Sequence, residues 1–186
     1  MENLHHFRKN YTKFQLHEDQ VEIDPFKQFS FWFKQAIEDG TFEANAMIVS
    51  TVNKNNKPSS RVVLLKEITQ EGFIFFTNYE SRKATDISDN DNASILFFWE
   101  KLERQVRIEG VIEKVPEQIS EDYFNKRPQL SKIGAAISNQ SSKLESRELL
   151  ENKFENFDKE AKIKRPENWG GYILKPKYFE FWQGRA

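Results

Sequence analysis

Two adjacent cations at the start of a predicted helix are the first residues in this sequence that could do chemistry. Arg82 and Lys83 follow Ser81, a residue type that commonly caps helices. A helix N-terminus carries positive partial charge, so cations there are unfavourable unless an anion lies beside them. Backbone N–H groups and two cations suit such a position to phosphate binding, and a solvated basic turn is the alternative.

A second group of cations flanks a strand-like run. Arg61 and Lys66 lie towards the ends of the apolar run 59–66, which a polar turn and Gly72 separate from a second run, 73–77. This pattern predicts that the two runs pair as a hairpin. Residues five apart on a regular strand point to opposite faces. Arg61 and Lys66 can therefore serve one ligand only across a strand end or at a bulge.

A third group of donors lies around a predicted helix end. Tyr123 and Arg127 are four residues apart and share a helix face, and Ser131 follows the break at Pro128. Phosphate is held best by several short donors, so this grouping is compatible with a second phosphate clamp. By spacing alone, an exposed salt-bridge face is the better explanation.

The composition excludes several other kinds of site. The 186 residues include no Cys, which rules out disulfides, thiolate zinc sites and a Cys nucleophile. All three His lie at positions 5, 6 and 17, so the body of the chain lacks a histidine-rich metal site and the base of a Ser-His-Asp triad. If this chain is an enzyme, we expect a bound organic cofactor to carry its chemistry.

Size and charge narrow the class of protein further. A chain of 22.1 kDa predicts one domain, and 17 Phe predict a core filled with aromatic rings. The net charge of −1 leaves no basic excess for coating nucleic acid. The sequence shows no apolar run of membrane-spanning length and no signal peptide, so we expect a cytoplasmic protein.

The hydrophobic pattern predicts a mainly β fold with peripheral helices. Residues 1–23 lack a sustained period and are expected to form a flexible arm, followed by one domain over residues 24–186. The run 104–115 alternates apolar and polar residues, which is typical of a small antiparallel barrel or an interface strand. Ser142 with Glu145 predicts a capping box for a charged helix, and Pro176 is expected to separate the last two strands.

Several of these motifs, taken in order, resemble the pyridoxine/pyridoxamine 5′-phosphate oxidase family. The motifs are the run 61–66, then residues 76–78, 81–83, 102–106 and 181–184, and the resemblance extends from about Arg8 to Arg185. Several motifs in a fixed order are more specific than any one of them. The resemblance implies a split β-barrel of antiparallel, Greek-key-like strands that binds flavin mononucleotide (FMN) and works as a homodimer, with FMN between the subunits.

The resemblance also implies roles for individual residues. FMN would be bound by Arg61, Val62, Val63, Leu64, Phe76, Thr77, Arg82, Lys83, Gln105, Gln140, Ser141 and Trp182. The substrate phosphate would be held by Lys66, Tyr123, Arg127 and Ser131, with Arg8 and Tyr11 on an arm that folds over the substrate. No side chain is assigned as catalytic and no metal is expected, because the flavin carries the redox chemistry.

The implied reaction belongs to vitamin B6 biosynthesis and salvage. A hydride passes from pyridoxamine or pyridoxine 5′-phosphate to the flavin, and O2 reoxidises the flavin. The products are pyridoxal 5′-phosphate and H2O2, with ammonia from the amine. The alternatives are a flavin or deazaflavin reductase of similar fold, a carrier of flavin or pyridoxal phosphate without catalysis, and a barrel that binds single-stranded nucleic acid.

The sequence ends at Ala186, before the place where the family carries an Arg-Leu-His-Asp-Arg motif that contacts substrate and flavin. Either the sequence is cut short or the protein is a shortened relative. We expect flavin binding to rest on the residues present, whereas the resemblance implies that the motif contributes to turnover. No role in that motif is assigned to Arg185, which precedes it.

Overall fold

Seven strands form one antiparallel sheet in the computed structural model, which describes residues 3–7, 10–159 and 161–186. The strands are β1 (Ala46–Val52), β2 (Pro58–Leu64), β3 (Glu67–Ile68), β4 (Phe73–Asn78), β5 (Asn92–Trp99), β6 (Arg104–Lys114) and β7 (Trp169–Gln183). Their order is β2-β1-β5-β6-β7-β4-β3, so β2 and β3 lie at opposite ends although they are adjacent in the chain. The sheet therefore curls into the split barrel that the sequence predicts.

Five α-helices surround this sheet in the described part of the chain. They are α1 (Pro25–Glu38), α2 (Arg82–Asp89), α3 (Glu117–Lys126), α4 (Gln129–Ile137) and α5 (Arg147–Glu155). Two 3₁₀ turns lie at Glu18–Gln20 and Glu100–Leu102. Among the described helices, none combines the length and the apolar character needed to cross a bilayer.

Helix α1 covers the barrel with aromatic rings, as its spacing predicts. Asp24 caps it by accepting a 2.9 Å hydrogen bond from the N–H of Phe26, and Pro25 occupies the first helical position. Phe29 is fully buried and contacts Phe73 and Phe97 edge-to-face, with ring centroids 4.9 Å apart in both pairs. The predicted aromatic core is thus present.

Strand β6 shows the predicted alternation along its length. Val106, Ile108 and Ile112 are buried, whereas Gln105 and Arg107 are partly exposed on the other face. The apolar face contributes to the barrel core, and the polar face remains on the outside of this chain.

The predicted pairing of residues 59–66 with residues 73–77 is wrong. Strand β2 pairs with β1, with Ser60 opposite Ser50, and β4 pairs with β3 and β7. The first run also ends at Leu64, and the N–H of Lys66 then donates to the carbonyl of Ile74 at 2.8 Å. The two runs thus meet only where the curled sheet nearly closes, because both find longer antiparallel partners elsewhere.

Pro176 does not separate two strands, which corrects the expectation from the sequence. Strand β7 runs continuously past it, and the ladder with β6 shifts register between Glu109 and Gly110. The missing N–H of Pro176 therefore falls where the ladder is already interrupted. Beyond Leu174, moreover, β4 no longer pairs with β7.

The predicted capping box at Ser142 is also wrong. Helix α5 begins four residues later, and Ser146 is the residue whose hydroxyl accepts the N–H of Leu149, at 3.2 Å. Ser142 and Ser146 are the same residue type in similar surroundings, so the sequence does not distinguish them.

Part of the N-terminal arm contacts the barrel. The carboxylate of the buried Glu103 accepts the backbone N–H groups of Thr12 and Lys13, at 3.0 and 3.2 Å. The Arg104 guanidinium lies over the ring of Phe14, 4.8 Å from its centroid. Residues 10–14 thus lie against the end of β6, while the flexibility of the arm stays a prediction.

We expect Gly110→Ala to destabilise the protein, because an added Cβ would lie 2.0 Å from the carbonyl oxygen of Lys175. Overpacking of this kind costs roughly 1–3 kcal/mol, which a fall in the thermal unfolding midpoint would report. Gly134→Ala is the matched control, since nothing lies within 4 Å of its added Cβ and helix propensity favours Ala by about 1 kcal/mol. An equal loss of stability in both variants would contradict the bulge geometry.

Candidate functional site

One cavity of about 810 Å³ collects most of the predicted site residues. Its walls come from β2, the end of β4, the first turn of α2, the junction of α3 with α4, and the loop after α4. Fourteen predicted residues line it: Arg61, Val62, Val63, Leu64, Lys66, Phe76, Thr77, Arg82, Lys83, Tyr123, Arg127, Ser131, Gln140 and Ser141. The cavity thus joins the three groups of donors that the sequence shows separately.

The remaining predicted residues do not line this cavity. Gln105, Trp182 and Tyr11 lie outside the set of lining residues, and Arg8 lies outside the described part of the chain. In one copy of the chain, therefore, no single site contains all the residues that the sequence assigns to it.

Three lining residues were missed by sequence reasoning: Ser59, Ser60 and Pro128. The two serines could have been found, because they directly precede Arg61 on the same predicted strand. Pro128 gave only the signal of a helix break.

Lys83 is the most buried cation of the site, with 7% of its surface exposed. Its ammonium donates to Gln140 Oε1 at 2.7 Å, to Thr77 Oγ1 at 2.9 Å and to Ser81 Oγ at 3.1 Å. All three acceptors are neutral. Burial first, and then the nearby charge of Arg61, lowers the pKa of Lys83 to about 8.

Ser81 occupies the N-cap position of α2, as predicted, but its side chain does not cap the helix. Its hydroxyl instead accepts a hydrogen bond from the Lys83 ammonium. The first turn of α2 therefore keeps backbone N–H groups that the Ser81 side chain does not satisfy, beside two cations. These features are compatible with the predicted anion site, which stays a prediction.

Arg61 and Lys66 reach the same cavity because β2 ends between them, at Leu64. The alternation of a regular strand, which would place them on opposite faces, stops at Leu64. The two cations therefore meet across a strand end, which is one of the two arrangements that their spacing allowed. The Arg61 guanidinium donates to Ser59 Oγ and Thr51 Oγ1, both at 2.7 Å. It is therefore held in one orientation by the strands beneath it.

The α3–α4 junction contributes an aromatic wall and a partly buried guanidinium. The rings of Tyr123 and Phe76 stack with centroids 4.0 Å apart, and Arg127 lies 4.6 Å from the ring centroid of Trp169. Arg127 donates to the carbonyl of Ser131 at 3.0 Å, whereas its Nε is buried without a partner in the described part of the chain. Burial lowers the pKa of Arg127.

The cavity carries an excess of positive charge. Five cations line it: Arg61, Lys66, Arg82, Lys83 and Arg127. Among residues 3–7, 10–159 and 161–186, only Arg61 of these five has a carboxylate within 4 Å, that of Asp86 at 3.6 Å. Partly buried cations without counter-ions favour an anionic ligand, and a phosphate accepts several such donors at once. The donor set fits a phosphorylated ligand.

The outer face of the sheet presents a second set of predicted residues. Phe98, Gln105 and Trp182 lie directly opposite one another on β5, β6 and β7, and therefore point to the same side. Phe98 is 55% exposed and Trp182 is 40% exposed. Tyr11 of the arm packs edge-to-face on Trp182, with centroids 5.6 Å apart. We call Phe98, Gln105 and Trp182 the outer row.

Comparison with protein families gives two matches. Residues 33–159 match the model described as pyridoxamine 5′-phosphate oxidase. Residues 169–186 match the model described as the pyridoxine 5′-phosphate oxidase C-terminal dimerisation region. The second match covers β7 and therefore includes one member of the outer row.

Curated relatives agree with the family matches. A protein of Leptospira biflexa named pyridoxine/pyridoxamine 5′-phosphate oxidase is 51% identical over 189 residues, which cover 100% of this chain and 89% of that one. The chloroplastic pyridoxine/pyridoxamine 5′-phosphate oxidase 1 of Arabidopsis thaliana is 52% identical over 96% of this chain. The match spans only 34% of the plant protein.

Solved structures show the same fold. PhzG from Burkholderia lata, in complex with tetrahydrophenazine-1-carboxylic acid, superposes with a TM-score of 0.89 at 25% identity, over 95% of this chain and 89% of that one. A pyridoxamine 5′-phosphate oxidase-related, FMN-binding protein from Nostoc punctiforme superposes with a TM-score of 0.71 at 16% identity, over 87% of this chain and 86% of that one.

The affinity of this cavity for a phosphorylated ligand should depend on pH through Lys83, and FMN can serve as the probe. Below about pH 8 the ammonium is protonated and attracts a phosphate; as pH rises above 8 the proton is lost and affinity should fall, by at most tenfold per pH unit. The phosphate is already a dianion in this range, because its second pKa is about 6. Fluorescence titration of FMN between pH 7 and 9.5 would measure this.

Lys83→Gln should bind FMN more weakly and lose this pH dependence, because glutamine does not titrate. Lys132→Gln is the control, since the Lys132 ammonium donates to the carbonyl of Asn125 and does not line the cavity. A pH profile of Lys83→Gln identical to that of the unmodified protein would contradict this role of Lys83.

Proposed function

This chain belongs to the pyridoxamine 5′-phosphate oxidase family, and we propose that it oxidises pyridoxamine or pyridoxine 5′-phosphate to pyridoxal 5′-phosphate with FMN and O2. The observation that carries this proposal is the single cavity in which two groups of phosphate donors face aromatic and aliphatic walls. One group suits the phosphate of a flavin and the other suits the phosphate of a second small molecule.

The proposal divides the cavity into two phosphate sites. Arg61, Arg82 and Lys83 would bind the FMN phosphate, with Thr77 supporting Lys83, because they gather around the first turn of α2. Gln140 is already tied to Thr77 and Lys83 by hydrogen bonds of 2.9 and 2.7 Å. The loop that follows α4 therefore closes this end of the cavity.

The substrate phosphate would lie at the α3–α4 junction. Lys66, Tyr123, Arg127 and Ser131 supply an ammonium, a guanidinium and two hydroxyls there. The unpartnered Nε of Arg127 is a donor that such an anion would satisfy. FMN, when bound, would accept the hydride and transfer electrons to O2. The side chains hold the two ligands in fixed relation, and this contribution is positional.

A homodimer would complete the site. Val62 lines the cavity and is 65% exposed on edge strand β2. The strand pairing places it in the same row across the sheet as Leu96 on β5. The cavity edge is thus continuous with the face that bears the outer row. A second copy packed on this face would place its Gln105 and Trp182 near the cavity, in the roles that the resemblance implies.

The first test of the proposal is turnover. The purified protein should be yellow and should release H2O2 when supplied with pyridoxamine 5′-phosphate in air. Yellow protein without peroxide would favour a flavin carrier, and flavin reduction by a nicotinamide cofactor without use of the B6 phosphate would favour a reductase. A colourless protein that does not bind added FMN would overturn the proposal.

Arg127→Ala should raise the KM for pyridoxamine 5′-phosphate by roughly 10- to 100-fold with little loss of bound flavin, because charge-assisted hydrogen bonds contribute about 1.5–3 kcal/mol. Steady-state kinetics and the flavin absorbance of the purified variant measure both quantities. Lys132→Ala is the matched control, because the ammonium of this neighbouring cation donates to the carbonyl of Asn125 and does not line the cavity. Loss of flavin at an unchanged KM would show that the two phosphate sites are assigned in reverse.

Phe98→Glu should convert the dimer to a monomer and weaken FMN binding, although Phe98 does not line the cavity of its own chain. A charge buried at the centre of an interface is destabilising unless it is paired. Light scattering gives the mass and FMN titration gives the affinity. Phe42→Glu, at a residue 88% exposed on the loop before β1, is the control. A dimeric variant with normal affinity would argue against this interface.

A further inference from the structure

Asp86 is a buried acid outside the cavity that none of the roles above uses. It lies on α2, and its side chain is 5% exposed. Its carboxylate accepts a 2.7 Å hydrogen bond from the hydroxyl of Thr51 and lies 3.6 Å from Nη2 of Arg61. A buried carboxylate is costly unless charge and hydrogen bonds compensate it, so this placement needs an explanation.

The hydrogen bonds among these three residues have one direction. Thr51 is fully buried, and its hydroxyl has one proton, which goes to the Asp86 carboxylate. The same oxygen then accepts the N–H of Arg61 Nη1, at 2.7 Å. The result is a chain from guanidinium to hydroxyl to carboxylate that links β2, β1 and α2. Linked hydrogen bonds of this kind strengthen one another in a low-dielectric interior.

This chain of hydrogen bonds determines which Arg61 donors remain for a ligand. Both N–H groups of Nη1 are used, by Thr51 Oγ1 and by the carbonyl of Val49 at 3.2 Å, and Nη2 donates once to Ser59 Oγ. Of the five donors of a guanidinium, the hydrogen bonds within the described residues thus leave Nε and one N–H of Nη2. Nη2 also lies 3.6 Å from the Asp86 carboxylate, so Nε is the donor that these contacts leave for a phosphate.

Asp86 also holds helix α2, which lies beside Arg61. It follows Arg82 by four residues and Lys83 by three, so it lies on the same side of α2 as those cations. The contacts of its carboxylate with Thr51 and Arg61 anchor this side of α2 to β1 and β2. One carboxylate therefore couples the position of Arg61 with that of the first turn of α2.

We propose that Asp86, acting with Thr51, is a positioning residue for FMN binding, which presents Arg61 and the first turn of α2 to the FMN phosphate. This inference rests on the proposed function, since it takes FMN as the ligand. Asp86 touches neither ligand, so its effect is exerted entirely through Arg61 and α2.

A double-mutant cycle tests the inference without any assay of turnover. FMN is titrated, by quenching of its fluorescence, into the unmodified protein, Asp86→Asn, Arg61→Gln and the double variant. Asp86→Asn should raise the Kd at least tenfold when Arg61 is present and by a clearly smaller factor in the Arg61→Gln background, where only the anchoring of α2 remains to be lost. Asp89→Asn, an exposed acid on the same helix, should leave the Kd unchanged.

The outcomes separate this inference from the proposed function. Normal FMN binding by Asp86→Asn, or effects of Asp86→Asn and Arg61→Gln that multiply in the double variant, would overturn the positioning role alone. Failure of the unmodified protein to bind FMN would overturn both. If Asp86→Asn does not fold, Thr51→Val removes the bridging hydroxyl without leaving a charge unpaired. It should weaken FMN binding at least threefold with Arg61 present and by a clearly smaller factor in the Arg61→Gln background.

Discussion

A buried ammonium surrounded by neutral oxygens is the interaction on which the rest of the site depends. Lys83 is held by Thr77, Ser81 and Gln140, and none of these acceptors neutralises its charge. Without an anion beside it, such a buried charge is unfavourable for folding. A bound anion compensates this charge, so the same interaction favours anion binding. The lowered pKa of Lys83 reports the same imbalance.

The curled sheet explains why this arrangement is possible. Strands β2 and β4 lie far apart in the order of the sheet, yet both line the cavity because the two ends of the sheet approach each other. Cations from separate elements can therefore converge without being neighbours in the sequence. Arg61 is supported from behind by Thr51 and Asp86, and Lys83 by Thr77, Ser81 and Gln140, so these two side chains lose little conformational entropy when a ligand binds.

Sequence reasoning succeeded where the signal was local and failed where it depended on long-range pairing. The first helix and the alternation of β6 followed from spacing and capping, and the family motifs named the fourteen residues that the structure places around one cavity. The hairpin between residues 59–66 and 73–77 was wrong because adjacency in the chain does not fix strand partners. Asp86 was missed because a single acid in an amphipathic helix gives no local sign of its partner.

The sequence by itself determined the kinds of chemistry open to this protein: no thiol, His only in the N-terminal segment, and clustered cations and hydroxyls that suit phosphorylated ligands. It also determined most of the strands and helices, because the periodicity of apolar and polar residues that defines them lies within consecutive residues. Only the tertiary structure decided that three groups of donors share one cavity, that Gln105 and Trp182 lie on another face, and that Asp86 contacts Arg61. These facts depend on the curl of the sheet, which is set by packing between distant segments.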